Sequence, residues 1–510
     1  MSDLLARKSI AETRETEQPA EAGLQRVLGP WQLTSLGIGA IVGAGIFSTT
    51  GTAIAGGAGH VGAGPALMLS LVLVAVTCGF AALCYAEFAA MIPQAGSAYT
   101  YAYATMGELV AWIIGWDLII EYAVGNVAVA VSWSGYFQEL LRGFGMAFPE
   151  WLATDYRTAF QGAAQVRDAV AAGIDPNTLG SHVLQAASAL ETAPTLFGLP
   201  VILNLPAVLI VALITWVLVI GVRESAWFNT AMVILKVAML LAFLAIGVAY
   251  VRPENWRPFA PNGLQGIWTG ASLVFFAYIG FDAVSTAAEE SRDPKRDMPF
   301  AIIASLLVTT LLYIAVAAVL TGMVPWDRLG TAEPLATAFG ERGLNVAAGL
   351  ISFGAVIATT SVLLVFQLGQ PRIFFAMARD GLLPKWAAAV HPRYKTPHIT
   401  TIITGIAVAV FAAFANINEV VELTNIGTLF AFVLVAAGII ILRRTDPDRP
   451  RPFRTPLVPF VPLLAIAFCI FLMLGLPVVT WIRFGVWLLI GMVIYFLYGR
   501  RHSRLRAGSH

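Results

Sequence analysis

The chain has 510 residues, 58% of them hydrophobic and only 12% charged, with a formal net charge of +1 and a mean hydropathy of +0.77. Soluble domains carry about a quarter charged residues, so the composition excludes a soluble globule and predicts an all-α polytopic membrane protein. The near-neutral charge gives no footing for a nucleic-acid partner. Three cysteines in apolar segments, Cys78, Cys84 and Cys469, offer neither a metal spacing nor a disulfide framework.

Residues 1–29 are polar and mixed in charge, without the basic start and short apolar core of a signal peptide, and are expected to form a cytoplasmic tail. Twelve apolar segments follow at 33–54, 65–91, 107–140, 201–222, 227–250, 264–288, 299–323, 344–377, 399–415, 420–442, 457–479 and 483–498. Each is long enough for a transmembrane helix, and an even number puts both termini on one side. With the termini inside, the cytoplasmic face takes 22 of the 31 Lys and Arg, the outside takes 8, and Lys236 is left over. Basic residues favour the cytoplasmic side, which predicts a multi-pass protein of the inner (plasma) membrane with both termini cytoplasmic. The Ala-rich stretch 143–200, carrying Pro176, Pro194 and Pro200, is the one sizeable extramembrane piece and is expected to hold short helices.

Two of the twelve segments carry helix breakers at mid-span. The first reads SLGIGAIVGAGIFSTTG, with Gly37, Gly39, Gly43, Gly45 and Gly51, and each glycine costs about 1 kcal/mol in a helix interior. The sixth reads SLVFFAYIGFDAVSTAAEE, interrupted at Gly280, Phe281 and Asp282. Unwound backbone is tolerated in lipid only where it lines a protein cavity, and breaks placed alike in two halves mark a transporter's binding site. The two stand five segments apart, as a five-plus-five inverted repeat with broken helices 1 and 6 requires. Its halves run over 30–250 and 264–442, followed by a cytoplasmic loop at 443–456, helices 11 and 12 at 457–499, and a tail at 500–510. Gly39-x-x-x-Gly43 also suits a plain close-packing face between helices. A broken helix offers amides and positive dipole at one end, which suit a carboxylate, and carbonyls at the other, which suit an ammonium.

Charges inside the apolar runs are few. Lys236 lies about 15 Å from either end of its segment, too deep for its stem to reach the headgroups, and an unpaired charge there costs at least about 3 kcal/mol. Asp117 and Glu121 stand four residues apart in the third segment, on one helix face. Asp282 sits at the sixth-segment break, suited to cap the half-helix that follows. Glu87, at the end of the second segment, is expected to order the 92–98 turn. Glu289 and Glu290 are expected to be solvated charges near Arg292 and Lys295.

Taken together, GIGAIVGAGIF (37–47), AAMIPQAGSAYTYAYATMGELVAWIIGWDLIIEY (89–122), FFAYIGFDAVSTAAEE (275–290), RDPKRDMP (292–299), RIFFAMARDGLLP (372–384) and Lys236 resemble the cationic amino acid transporter family, within the amino acid–polyamine–organocation superfamily. The resemblance covers residues 31–498, with 143–200 as the main departure from compact members. It implies ten core helices plus two. It also implies a substrate carboxylate held by the amides of Ala44, Gly45 and Ile46 beside Gly43, and an amino group facing carbonyls near Ile41, Phe276, Ala277 and Ile279. Some relatives place a threonine where this chain has Ala44, so here the backbone amide must suffice. Lys236 matches a lysine that takes the place of the sodium bound by other relatives. The implied coupling ion is therefore the proton, with no sodium, no metal and no other cofactor. Thr359, Thr360 and Ser361 are its expected hydroxyl neighbours. Glu121 is expected on the substrate or proton path, and Asp282 near a cationic side chain. Tyr278 and Phe281 are the candidate gates.

The expected function is proton-coupled uptake of cationic or small neutral L-amino acids, with the amino acid and the bilayer as partners. The alternatives are a neutral, alanine-like permease or exchanger on the same fold, and an amino acid sensor. A small single-helix partner stays open. An enzyme is disfavoured: the six histidines, His60, His182, His391, His398, His502 and His510, are mostly terminal or in loops, and no polar segment holds a nucleophile–base pair. A channel would want polar rings, whereas polarity here gathers at two broken helices.

Overall fold

The computed structural model describes residues 28–507 apart from 58–59, 92–96, 147, 177–178, 180, 222–225, 283 and 286–290. Glu289, Glu290 and the tail up to residue 27 therefore lie outside the described residues. Helices dominate because a chain in hydrocarbon must satisfy its own amides and carbonyls. Eight helices are long and apolar enough to cross a membrane, and Leu205–Ile220, His398–Phe414 and Phe460–Met473 are shorter apolar helices. The sixth segment is in pieces, which completes the twelve.

The first span consists of α1 (Pro30–Ile41) and α2 (Thr50–Ala55), joined by a π-helical turn at Gly45–Thr49. The second is α3 (Leu67–Met91), followed by the short α4 (Ser97–Thr105). The third divides into α5 (Glu108–Ile119) and α6 (Gly125–Gly143) around a π turn at Ile120–Val124. Next come α7 (Tyr156–Ala171) and α8 (Ser181–Thr192) of the insertion, then α9 (Leu205–Ile220) and α10 (Ala226–Gly247) as spans four and five. The sixth span is helical as α11 only over Gly263–Val274 and tightens to a 3₁₀ turn at Phe275–Tyr278. Spans seven to twelve are α12 (Pro294–Met323), α14 (Asn345–Arg379), α15 (His398–Phe414), α16 (Ile417–Thr445), α17 (Phe460–Met473) and α18 (Val478–Ile494), with a short α13 (Pro334–Gly340) before α14.

The insertion forms a helical hairpin, as its composition suggested. Asp155 caps α7 by accepting from the Thr158 amide at 2.9 Å. Gly162 lets α7 approach α8, since a Cβ there would stand 2.7 Å from that of Ala186. The hairpin is tied to the tenth and twelfth spans through Glu419, which pairs with Arg157 and, at 2.8 Å, with Arg483.

At the opposite face, most of the 92–98 turn that Glu87 was expected to order lies outside the described residues, and among those described Glu87 anchors the 443–455 segment. Its buried carboxylate accepts two 2.9 Å bonds from Arg443 and one of 2.7 Å from the Thr455 amide, with Arg451 at 3.3 Å. The reason is charge: a carboxylate removed from water needs cations, and residues 443–455 supply them. The twelfth span docks on the third by the stacked rings of Trp116 and Trp487, 4.6 Å apart, and by Tyr495, whose hydroxyl donates to buried Glu108 at 2.8 Å.

Candidate functional site

Ending a helix in mid-membrane strands its last carbonyls, and the sequence supplies a donor for most of them. At the end of α1, the Ile38 carbonyl accepts from the Val42 amide at 2.8 Å, Gly39 accepts from the Lys236 amine at 2.8 Å, and Ile41 accepts from the Tyr313 hydroxyl at 3.0 Å. The Ala40 carbonyl abuts Gly280, where a Cβ would lie 2.8 Å away. The chain is extended at Val42, and the first amide to find a helical carbonyl again is that of Phe47, on Gly43 at 3.3 Å. Ala44, Gly45 and Ile46 occupy the turn before it, where helical amides have no intrahelical partner.

The two breaks touch. A Cβ on Gly45 would meet the Ala277 Cα at 2.2 Å, so only glycine lets the two backbones approach so closely. In the sixth span the 3₁₀ turn is followed by Ile279 in an extended conformation and by Gly280 at φ +118°, in a region that L side chains rarely adopt. Phe276, Ala277 and Ile279 are all buried at this junction.

Lys236 is buried, at 1% exposure, with its amine on the first span. Of the expected hydroxyl neighbours, Thr359 and Thr360 are engaged elsewhere. Thr359 donates to Ala355 of its own helix at 2.7 Å, and Thr360 donates to Val356 at 2.7 Å while accepting from the Trp133 indole at 2.8 Å. Serine and threonine in apolar helices bond back to their own turn when no stronger partner stands within reach.

Glu121 lies on the π turn of the third span, beside Asp282, Asp117 and Thr428. Asp117 presses on Gly427 of the tenth span, and one of its oxygens has no partner among the described residues. The half-helix that Asp282 was expected to cap falls largely on residues outside the description. Neither gate residue stands over the breaks alone. The Tyr278 hydroxyl donates to Leu71 of the second span at 3.1 Å, and its ring meets Tyr313 edge-on at 5.6 Å. Phe281 packs into an aromatic cluster with Tyr85 and Phe432. A large side chain at a break buries itself against whichever helix the turn faces, and sequence spacing does not fix that direction.

Sequence reasoning missed Tyr313, whose only signal is a hydroxyl in an apolar run, and the π turn, a feature common at functional sites. It also missed an outer clamp in which the Ser48 hydroxyl bonds to Ser132 and to the Ala332 carbonyl, and Tyr136 donates to Phe47. Among the described residues no group of three or more His, Cys, Asp or Glu could hold a metal ion.

Twelve apolar segments with two broken spans meeting at mid-membrane, and a buried amine on one of them, define a multi-pass membrane transporter rather than an enzyme. The profile of the Amino acid permease family matches residues 28–498, and the chain belongs to that family. It is 46% identical to the branched-chain amino acid permease BcaP of Bacillus subtilis, over 95% of each chain. It is 43% identical to the methylthioribose transporter of Bacillus subtilis, over 99% of this chain and all of the relative. With human cationic amino acid transporter 4 it shares 30% identity over 95% of this chain and 88% of the relative.

Proposed function

We propose that the protein carries amino acids with apolar, including branched, side chains into the cell by proton coupling, across the plasma membrane and with both termini cytoplasmic. The observation that carries this reading is the Lys236 amine on the Gly39 carbonyl, at the end of a helix whose break touches that of the sixth span. The amides of Ala44, Gly45 and Ile46 suit a carboxylate, and the carbonyls of the sixth-span turn suit the ammonium group. A fixed ammonium at the first span does what a bound metal cation would do there, so no sodium is needed. Loss of its proton removes the charge and weakens the bond to the Gly39 carbonyl, which lets α1 shift and links the proton to the change of face. The side-chain class rests on the buried aliphatic surroundings, where Val362 lies against Gly43, and on the likeness to a branched-chain permease.

A second reading, cationic substrates, draws on Glu121, Asp117 and Asp282, three carboxyl groups gathered below the breaks. Purified protein in liposomes decides between them. Counterflow of labelled leucine, isoleucine, valine, alanine, lysine and arginine gives the substrate class, and uptake under an inward pH gradient without sodium gives the coupling. Exchange of the apolar set is expected. Exchange of lysine and arginine alone favours the second reading, and a strict sodium requirement defeats the coupling scheme.

A further inference from the structure

One cavity stands apart from the residues of the two breaks. It lies between the insertion hairpin and the ends of the first, third and tenth spans, with a volume of about 560 Å³, within the roughly 300–1,000 Å³ of small-molecule sites. None of the break residues 42–45 or 275–280 lines it. Between the two stands the clamp of Ser48, Ser132 and Ala332. The clamp forms the inner wall of this cleft, which opens on the side that carries the insertion.

Its wall is rich in amides and hydroxyls, among them Gln138, Gln161, Asn204, Asn416 and Thr331, and it bears five charged side chains. Arg142 is the single cation among them, and it is already committed: it pairs with Glu139, approaches Glu150 at 3.4 Å and donates to Gln185 at 3.0 Å. Asp155 is committed to capping α7, and Asp168 is exposed to solvent. Glu333 differs from these. It is largely sheltered, and among the described residues no hydrogen bond or ion pair engages its carboxylate. One of its oxygens rests in the niche left by Gly135, where a Cβ would come within 2.8 Å.

We propose that this cavity is a second ligand site, separate from the broken helices, which binds a small organic amine as its ammonium ion with Glu333 as the counter-charge. An anion would meet no free cation there. A neutral polyol could donate hydroxyls to Glu333 but would leave its sheltered negative charge without a counter-charge. An ammonium supplies donors to Glu333 and to the surrounding oxygens together. Burial first, and Glu139 second, push the Glu333 carboxyl up to about 7 from an ordinary 4.5, with Arg142 pulling it down. The site is therefore ionised at pH 8.

The test uses putrescine, which has no carboxylate for the amides at Ala44–Ile46 and so offers the break site little. Equilibrium dialysis of labelled putrescine against the full-length protein in detergent, at pH 8 and low salt, is expected to show saturable binding of one molecule per chain. Glu333→Gln is expected to weaken it at least tenfold, and Gly135→Ala, which displaces the carboxylate, to weaken it as well. Glu121→Gln, at the break site, is expected to leave it within twofold. Thermal melts identify variants that fail to fold, and Gly135→Ala carries the test if Glu333→Gln does not fold. The absence of saturable binding, unchanged binding in folded Glu333→Gln and Gly135→Ala, or a loss in Glu121→Gln instead would overturn the proposal. Each of these results is independent of which amino acid the transport assay identifies.

Discussion

The Lys236 amine donates a 2.8 Å hydrogen bond to the Gly39 carbonyl, 197 residues earlier in the chain. This ties the fifth span to the last turn of α1, at a carbonyl that the break has stripped of its helical partner. Replacing Lys236 by Met removes a costly buried amine and strands one carbonyl. The two effects oppose each other at about 1–3 kcal/mol for the carbonyl, so folding survives. Lys236→Met is expected to melt within a few degrees of wild type and to retain counterflow, while losing accumulation driven by a pH gradient. Undiminished pH dependence in that variant removes Lys236 from the coupling.

Gly280 is held by two constraints at once, a φ of +118° and a carbonyl group of the first span 2.8 Å from where a Cβ would sit. Gly280→Ala therefore carries backbone strain of about 1–3 kcal/mol plus a collision with Ala40. It is expected to lower the melting temperature by several degrees and to abolish transport. Gly79→Ala is the control: nothing lies within 4 Å of a Cβ there, and alanine gains about 1 kcal/mol of helix propensity. Equal melting temperatures for the two variants would contradict the packing of the breaks described above.

Among the described residues Glu87 is the one anion that Arg443 and Arg451 share, and Arg451 is itself buried. Removing one partner of a buried pair costs about 3–5 kcal/mol, because the remaining charge stays out of water. Glu87→Gln is expected to destabilise the protein strongly and to open the 443–455 segment to trypsin. Glu341→Gln, which breaks the exposed pair with Arg328 at 3.1 Å, is expected to cost at most about 1 kcal/mol. If limited digestion is unchanged in Glu87→Gln, the carboxylate does not hold that segment.

These residues differ in how far the sequence exposes them. Lys236, Gly45 and Gly280 were legible because a charge or a cluster of helix breakers in an apolar run violates a local rule, and such violations mark functional places. The twelve segments were legible for the same local reason. Tyr313 was not, since its bond to Ile41 joins residues 272 apart and a tyrosine in an apolar helix breaks no rule. Glu87 was read as an acid near a turn, but its partners lie more than 350 residues downstream. Tyr278, Phe281 and Thr359 share one difficulty: the neighbour each one faces depends on how the helices rotate against one another, which the spacing of residues does not state.

Glu333 gives a pH dependence whose sign can be worked out. It lies outside the spans, between Met323 and Asn345, and its carboxyl titrates near 7 when folded against an ordinary 4.5. The folded state therefore holds this proton more tightly than the unfolded state. Below about pH 4.5 the group is protonated in both states and has no effect. Between about 4.5 and 7 stability falls as pH rises, and above about 7 the full penalty is present. At about 1.4 kcal/mol per unit the ceiling is roughly 3 kcal/mol, reduced where water reaches the carboxylate. Glu333→Gln removes the ionisable group and keeps its shape. With no amine added, it is expected to melt above wild type at pH 8 and level with it near pH 4.5, in a series of detergent melts across that range. A difference of constant size at every pH would mean that the group titrates alike in both states, and that its carboxylate is not sheltered as the geometry describes.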